Sequence, residues 1–180
     1  GQAFFGFARH GIVPDMITMG KPMGNGIPIS GLAAKEDVLA AFSDKLPYFN
    51  TFGGNPVSIA AAQAVLKYIK DENLQEHCKK AGAALLKALK EVQERHPESV
   101  GDVRGAGLFL GFEFVKNDGN KTPDKDMALN VIEMLRDEHI LTSVIGHYGN
   151  ILKLRPPMVF SENDIDWFAT SLDKCITKLE

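Results

Sequence analysis

The feature that most constrains this chain is a long run of helical periodicity at its centre. Ala60, Ala61, Ala64, Val65 and Tyr68 recur at the spacing of one helix face and predict a helix over 57–69. The same period resumes over 73–95 with Leu74, Cys78, Ala81, Leu85, Leu89 and Val92. Asp71-Glu72-Asn73 separates the two patterns, and Pro97 cannot continue the second. Asn55 is a good N-cap for the first, with Pro56 at the opening helical position, where a missing N–H costs nothing. With 180 residues in all, the chain holds one ordinary domain, or one small domain plus part of another.

The texture differs on either side of this run. Residues 1–55 are rich in glycine, proline and short apolar runs. Residues 16–19 read as a short buried strand, 29–33 as another, and "KEDVLAAFS" as a short helix. Beyond Ser99, "VGDVRGAGLFLGFEFV" is rich in β-formers and reads as one or two strands. An amphipathic helix follows over 126–138, with Ala128, Val131, Ile132 and Leu135 inward. "ILTSVI" and "ILKLRPP" read as strands around a "GHYGN" turn, the proline pair ending the second. Ser161, with Asp164 three residues on, caps a last helix whose buried face is Ile165, Phe168, Leu172 and Ile176. The expected architecture is an α/β piece over 1–70 that includes the start of the connecting helix, then a smaller α+β unit over 71–180.

Several function classes drop out. Apolar residues at 44% and charged residues at 24% describe a globular protein, not a disordered one. A net charge of -3 gives no reason to expect nucleic acid or an anionic membrane as partner. No apolar run approaches the roughly 20 residues of a membrane helix, and no secretory signal pattern is visible. Cys78 and Cys175 match no metal or redox spacing and read as reduced thiols, so a cytoplasmic location is expected. The opening "GQAFFGFARHG" crowds three phenylalanines together and reads as the interior of a larger protein.

Three segments can carry chemistry. Lys21, in "TMGKPMGNGIPIS", follows a strand and stands in a glycine-rich turn. Desolvation or a nearby cation would free its lone pair for nucleophilic attack. Pro22 biases Lys21 toward an extended backbone. The phosphate-loop and dinucleotide patterns both fail here, and spacing alone leaves a plain surface turn lysine equally open. "NTFGGNP" places Thr51, Gly53 and Gly54 before a helix N-terminus, a plausible phosphate site or simply a capped helix. In "LKLRPP", Lys153 and Arg155 are two apart and share a strand face, where they meet either an anion or water. The five histidines form no ligand spacing. Arg104 reads as a structural arginine bonding backbone carbonyls.

Taken in order, "HGIVPDMITMGKPMGNGIPISG", "YFNTFGGNPVSIAAAQAVL", "VRGAGLFLGFEF" and "LKLRPPMVF" resemble the second half of a class III aminotransferase of fold type I. The resemblance spans the chain. It implies part of the large cofactor-binding domain followed by the smaller C-terminal domain. It implies pyridoxal 5′-phosphate as cofactor, amine and 2-oxo acid as substrates, and a homodimer. Lys21 would form the Schiff base with the cofactor and shuttle the proton after substrate displaces it. Thr51 would bind the cofactor phosphate across the dimer interface.

Family members carry a pyridinium-binding aspartate, a phosphate loop and a ring-stacking aromatic in segments that precede the matched region; Asp15 is not that aspartate. The resemblance therefore implies that the 180-residue chain alone does not transaminate. Many members also place an arginine three residues before the proline pair, to grip a substrate carboxylate. Here the position is Lys153, with Arg155 directly before Pro156. Lysine is a point charge and not a fork, and the pattern is closer to the alanine–glyoxylate aminotransferase and phospho-lyase branch. A phospho-lyase acting on a phosphorylated amine and a non-catalytic folded fragment are the alternative expectations.

Overall fold

A computed structural model describes residues 1–180. The chain divides into two compact units, one formed by Ala3–Leu74 and the other by Gln75–Glu180 together with Gly1–Gln2.

The first unit holds strands β1 (Met16–Met19) and β2 (Gly31–Ala34) and helices α1 (Glu36–Ser43) and α2 (Pro56–Asp71). The two strands pair antiparallel from Met16 opposite Ala34 to Met19 opposite Gly31. Lys35 fastens the open end of this ladder: its N–H donates to the Asp15 carbonyl, and its ammonium pairs with the Asp15 carboxylate at 2.7 Å. Hydrogen bonding and charge attraction from Lys35 hold that carboxyl below its ordinary range. β1 is not the buried strand its composition predicts, since Met16 is 57% exposed. β1 has a single ladder partner, so its apolar side chains lack the covering layers that parallel-sheet strands have. The Asn55 cap forms as the sequence indicates, its Oδ1 accepting the Ser58 N–H at 3.0 Å.

The second unit carries the hydrophobic core. Helix α3 (Leu74–Arg95) leads into a hairpin of β3 (Val100–Ala106) and β4 (Phe109–Phe114). Helix α4 (Lys125–Asp137), β5 (Ser143–Ile145), β6 (Ile151–Leu154) and α5 (Glu162–Leu179) follow. The sheet is antiparallel throughout, in the order β3-β4-β6-β5. Period-2 alternation sends Leu110, Phe112 and Phe114 of β4 inward with Leu152 and Leu154 of β6. There they meet Leu85, Leu89 and Val92 of α3, Val131 and Leu135 of α4, and Leu172 and Ile176 of α5. Each fully buried side chain of this size contributes about 1.5–3 kcal/mol relative to exposure. Ser161 and Asp164 form a reciprocal capping box at the start of α5. The strand expected over "ILTSVI" is shorter than its composition predicts: pairing begins only at Ser143, and Leu141 stands 87% exposed.

Candidate active site

Lys21 sits two residues beyond the last ladder pair of β1 and β2. It opens a single 3-10 turn, Lys21–Gly24, closed by the Met23 N–H on the Gly20 carbonyl at 3.3 Å and the Asn25 N–H on the Pro22 carbonyl at 3.0 Å. Gly24 is buried, and a Cβ there would lie 2.9 Å from Ile29 Cγ2. The backbone of Lys21 is left-handed, with φ 51, and not extended as the following proline predicts. Closure and packing of the turn override the local preference. The side chain is exposed in this chain and not desolvated.

Thr51 lies in the turn that leads into α2, also exposed. Asn50 shapes this turn: its Oδ1 accepts the N–H groups of Phe52 at 3.2 Å and Gly53 at 2.9 Å, and its Nδ2 donates to the Tyr48 hydroxyl. A Cβ on Gly53 would stand 2.9 Å from Asn50 Cγ, so a larger residue there would displace the Asn50 side chain. An open cavity of about 640 Å³ is lined by Thr18, Ser30, Tyr48, Asn50, Gly53 and Gly54, among others. Neither Lys21 nor Thr51 lines it, so the two are not gathered into one cavity.

Pyridoxal phosphate asks a protein for a primary amine at its aldehyde and for neutral or cationic donors at its phosphate. An exposed lysine amine at the end of a strand fits the first. A threonine hydroxyl beside a glycine turn at a helix N-terminus fits the second. The residues present thus fit two attachment points of the cofactor. Asp15 is engaged with Lys35 and supplies no third.

Lys153 and Arg155 belong to the second unit. Lys153 pairs across to Gly111 of β4 and Ser143 of β5, on the sheet face opposite Leu152 and Leu154. Both cations line a cavity of about 480 Å³ whose walls include Leu141, Phe160 and Trp167, and no aspartate or glutamate lines it. Arg104 does not bond backbone carbonyls as the sequence reading expects. It pairs with Asp102 and, at 2.7 Å, with Glu113, which lies opposite Asp102 on the neighbouring strand.

One polar cluster escapes sequence reasoning. His96 is only 6% exposed, its Nδ1 lying 2.8 Å from Glu180 Oε2 and its Nε2 3.1 Å from Asp173 Oδ1. Arg95 also donates to Asp173, and Ser99 to Glu180. Burial pushes the Asp173 carboxyl up, but the hydrogen bonds from Arg95 and His96 outweigh it and leave it below the ordinary range. The carboxylates lie 77 and 84 residues from His96, so no short spacing announces them. This cluster ties the end of α3 to the end of α5 and is structural.

The sequence profile of the class III aminotransferases matches residues 1–176, and the chain belongs to that family of pyridoxal phosphate-dependent enzymes. It is 45% identical over 168 residues to the Caenorhabditis elegans ethanolamine-phosphate phospho-lyase homolog 1, covering 93% of this chain and 36% of that protein. It is 37% identical over 176 residues to the Arabidopsis thaliana mitochondrial alanine–glyoxylate aminotransferase 2 homolog 2, covering 98% of this chain and again 36% of the relative. Among solved structures, a phospholyase from Arthrobacter in complex with phosphoethanolamine superposes with a TM-score of 0.93 at 37% identity, over 98% of this chain and 42% of that one. The mixed α/β fold is therefore part of the fold of these enzymes, and the chain spans little more than a third of the length of the curated relatives it matches. No helix is long and apolar enough to cross a membrane.

Proposed function

We propose that this chain is the lysine-bearing part of a pyridoxal phosphate-dependent aminotransferase that moves an amino group between an amine donor and a 2-oxo acid. The observation that carries the reading is Lys21, an accessible amine in a constrained turn at the end of β1, within a chain of this family. In this reading Lys21 Nζ would be the amine that holds the cofactor through its aldehyde. Bound pyridoxal phosphate supplies the electron sink that makes loss of a proton from the substrate Cα feasible. Lys21 Nζ, once free, would take the substrate Cα proton as a general base and give it up again as a general acid. Thr51 and the glycine turn before α2 would hold the phosphate of the partner protomer's cofactor. Size-exclusion chromatography of the full-length protein with light scattering tests the homodimer this requires. Ala3–Leu74 then serves as the end of the large domain, and the remainder as the small domain. Both cysteines are free, as a reducing compartment allows. Cell fractionation distinguishes the cytoplasm from the mitochondrial setting named for two relatives.

Lys153 and Arg155 are proposed to receive the anionic group of the substrate, because two cations share a cavity lined by no acid. A second reading follows from that pair and from the phospho-lyase relatives: elimination of phosphate from a phosphorylated amine. A lysine point charge suits a phosphate at least as well as a carboxylate. The test is to incubate the full-length protein with phosphoethanolamine, and separately with an amino donor plus a 2-oxo acid. Keto-acid-dependent amino transfer supports the first reading. Phosphate release that needs no 2-oxo acid replaces it with the second.

A further inference from the structure

The walls of the Lys153–Arg155 cavity follow from how two segments leave the core of the second unit. After α4 the Ile140 N–H donates to the Leu135 carbonyl at 2.9 Å, and Ile140 packs against the core. Leu141 is thereby turned outward and is 87% exposed. Thr142 ties this segment to β6, its hydroxyl donating to the Lys153 carbonyl at 3.2 Å. β6 ends at Leu154, and Pro156, which has no N–H to give, cannot extend its ladder. The Phe160 N–H closes a turn on the Pro157 carbonyl at 3.0 Å, and the Ser161 box then starts α5. In α5 Phe168 enters the core, so Trp167, one position before it, faces away and is 46% exposed.

Leu141, Phe160 and Trp167 therefore meet Lys153 and Arg155 around one open space of about 480 Å³. Apolar side chains exposed singly need no explanation, but here Leu141 and Trp167 share a concavity with two cations and no acid. Sites for small organic molecules span about 300–1,000 Å³ and are mostly apolar, with a few polar or charged groups that fix orientation. A phosphate or carboxylate group alone would engage the cations and leave the apolar walls in water. From this arrangement we infer that the cavity receives an organic anion whose charged end meets Lys153 and Arg155 and whose apolar body, the size of a phenyl ring, covers Leu141 and Trp167. These two side chains determine specificity: they select the body, while the cations select the charge. The inference rests on the reading of Lys153 and Arg155 as the residues that receive the substrate's anionic group.

The test titrates the full-length protein calorimetrically with propionate, 3-phenylpropionate and the neutral 3-phenylpropanol. Wild type should bind 3-phenylpropionate at least about tenfold more tightly than propionate, because covering the ring removes apolar area from water. It should also prefer that acid to the alcohol. Trp167→Ala should shrink the ratio between the two acids severalfold, and Leu141→Asn, at a position too exposed to carry the fold, should shrink it in the same direction. Lys153→Gln combined with Arg155→Gln should weaken both acids and leave the alcohol unchanged. Circular dichroism confirms that each variant is folded. Equal affinity for the two acids in wild type, or a ratio that survives both apolar variants, overturns the inference and leaves the anion-receiving reading standing. Acid binding that is absent, that is unchanged without the two cations, or that does not compete with the amine substrate overturns that reading and the inference with it.

Discussion

Replacing Gly82 by alanine sets two opposed effects against each other within α3. Alanine is favoured over glycine in a helix interior by about 0.8–1.0 kcal/mol. The added Cβ, however, would lie 2.3 Å from both the carbonyl carbon and oxygen of Gly107, and 2.6 Å from its Cα. These are backbone atoms in the turn between β3 and β4, so no rotamer change relieves them. Gly107 is itself left-handed at φ 54, and on one side of it Gly105 is hemmed in by the Phe109 carbonyl. Restoring an ordinary carbon contact of about 3.5 Å means moving helix and turn apart by about 1 Å. Overpacking of that kind costs about 1–3 kcal/mol, and a contact this close belongs at the upper end. The close approach wins, and the net loss is about 1–2 kcal/mol. The assay is urea unfolding followed by fluorescence of Trp167, the single tryptophan, which sits in α5 of the same unit. A Gly82→Ala protein with a higher urea midpoint than wild type would mean that α3 and the turn are not in contact as described.

Other expectations follow from the same unit. Leu89→Ala empties a fully buried site and should cost about 2.7–5 kcal/mol in the same urea titration. Asp124→Ala removes the side chain that accepts the Met127 N–H at 2.9 Å and should cost about 1 kcal/mol, read as a lower thermal midpoint. Asp173 has a folded-state pKa below its unfolded value, so its ionised form stabilises the fold above about pH 4. That contribution is lost as pH falls through the folded-state value. Asp173→Asn should therefore be less stable than wild type at neutral pH, and its acid titration by circular dichroism should be shallower below about pH 4.

What the sequence disclosed, and what it withheld, divides along a physical line. The Asn55 cap, the Ser161–Asp164 box and the inward faces of α3, α4 and α5 are written in residues one to four apart, where periodicity and side-chain capping act. The Lys21 turn was readable as a turn, but its handedness was not: Pro22 argues for an extended lysine, and only packing of Gly24 on Ile29 reverses that. His96 and its two carboxylates meet across 77 and 84 residues, a pairing that no local pattern encodes. Arg104 finds Glu113 through the β3–β4 register, which is settled by which faces are apolar and not by the arginine. The resemblance carried by the lysine and threonine segments, not periodicity, is what puts Lys21 and Thr51 forward as a proposed pair.

Lys21 is the amine proposed to hold the cofactor. Full-length protein, incubated with pyridoxal phosphate, reduced with borohydride and digested, should yield one stoichiometric pyridoxyl-lysine peptide, that of Thr18-Met19-Gly20-Lys21, and Lys21→Ala should yield none. Stoichiometric label on another lysine, or label spread at trace level over many with Lys21 unmodified, would contradict it.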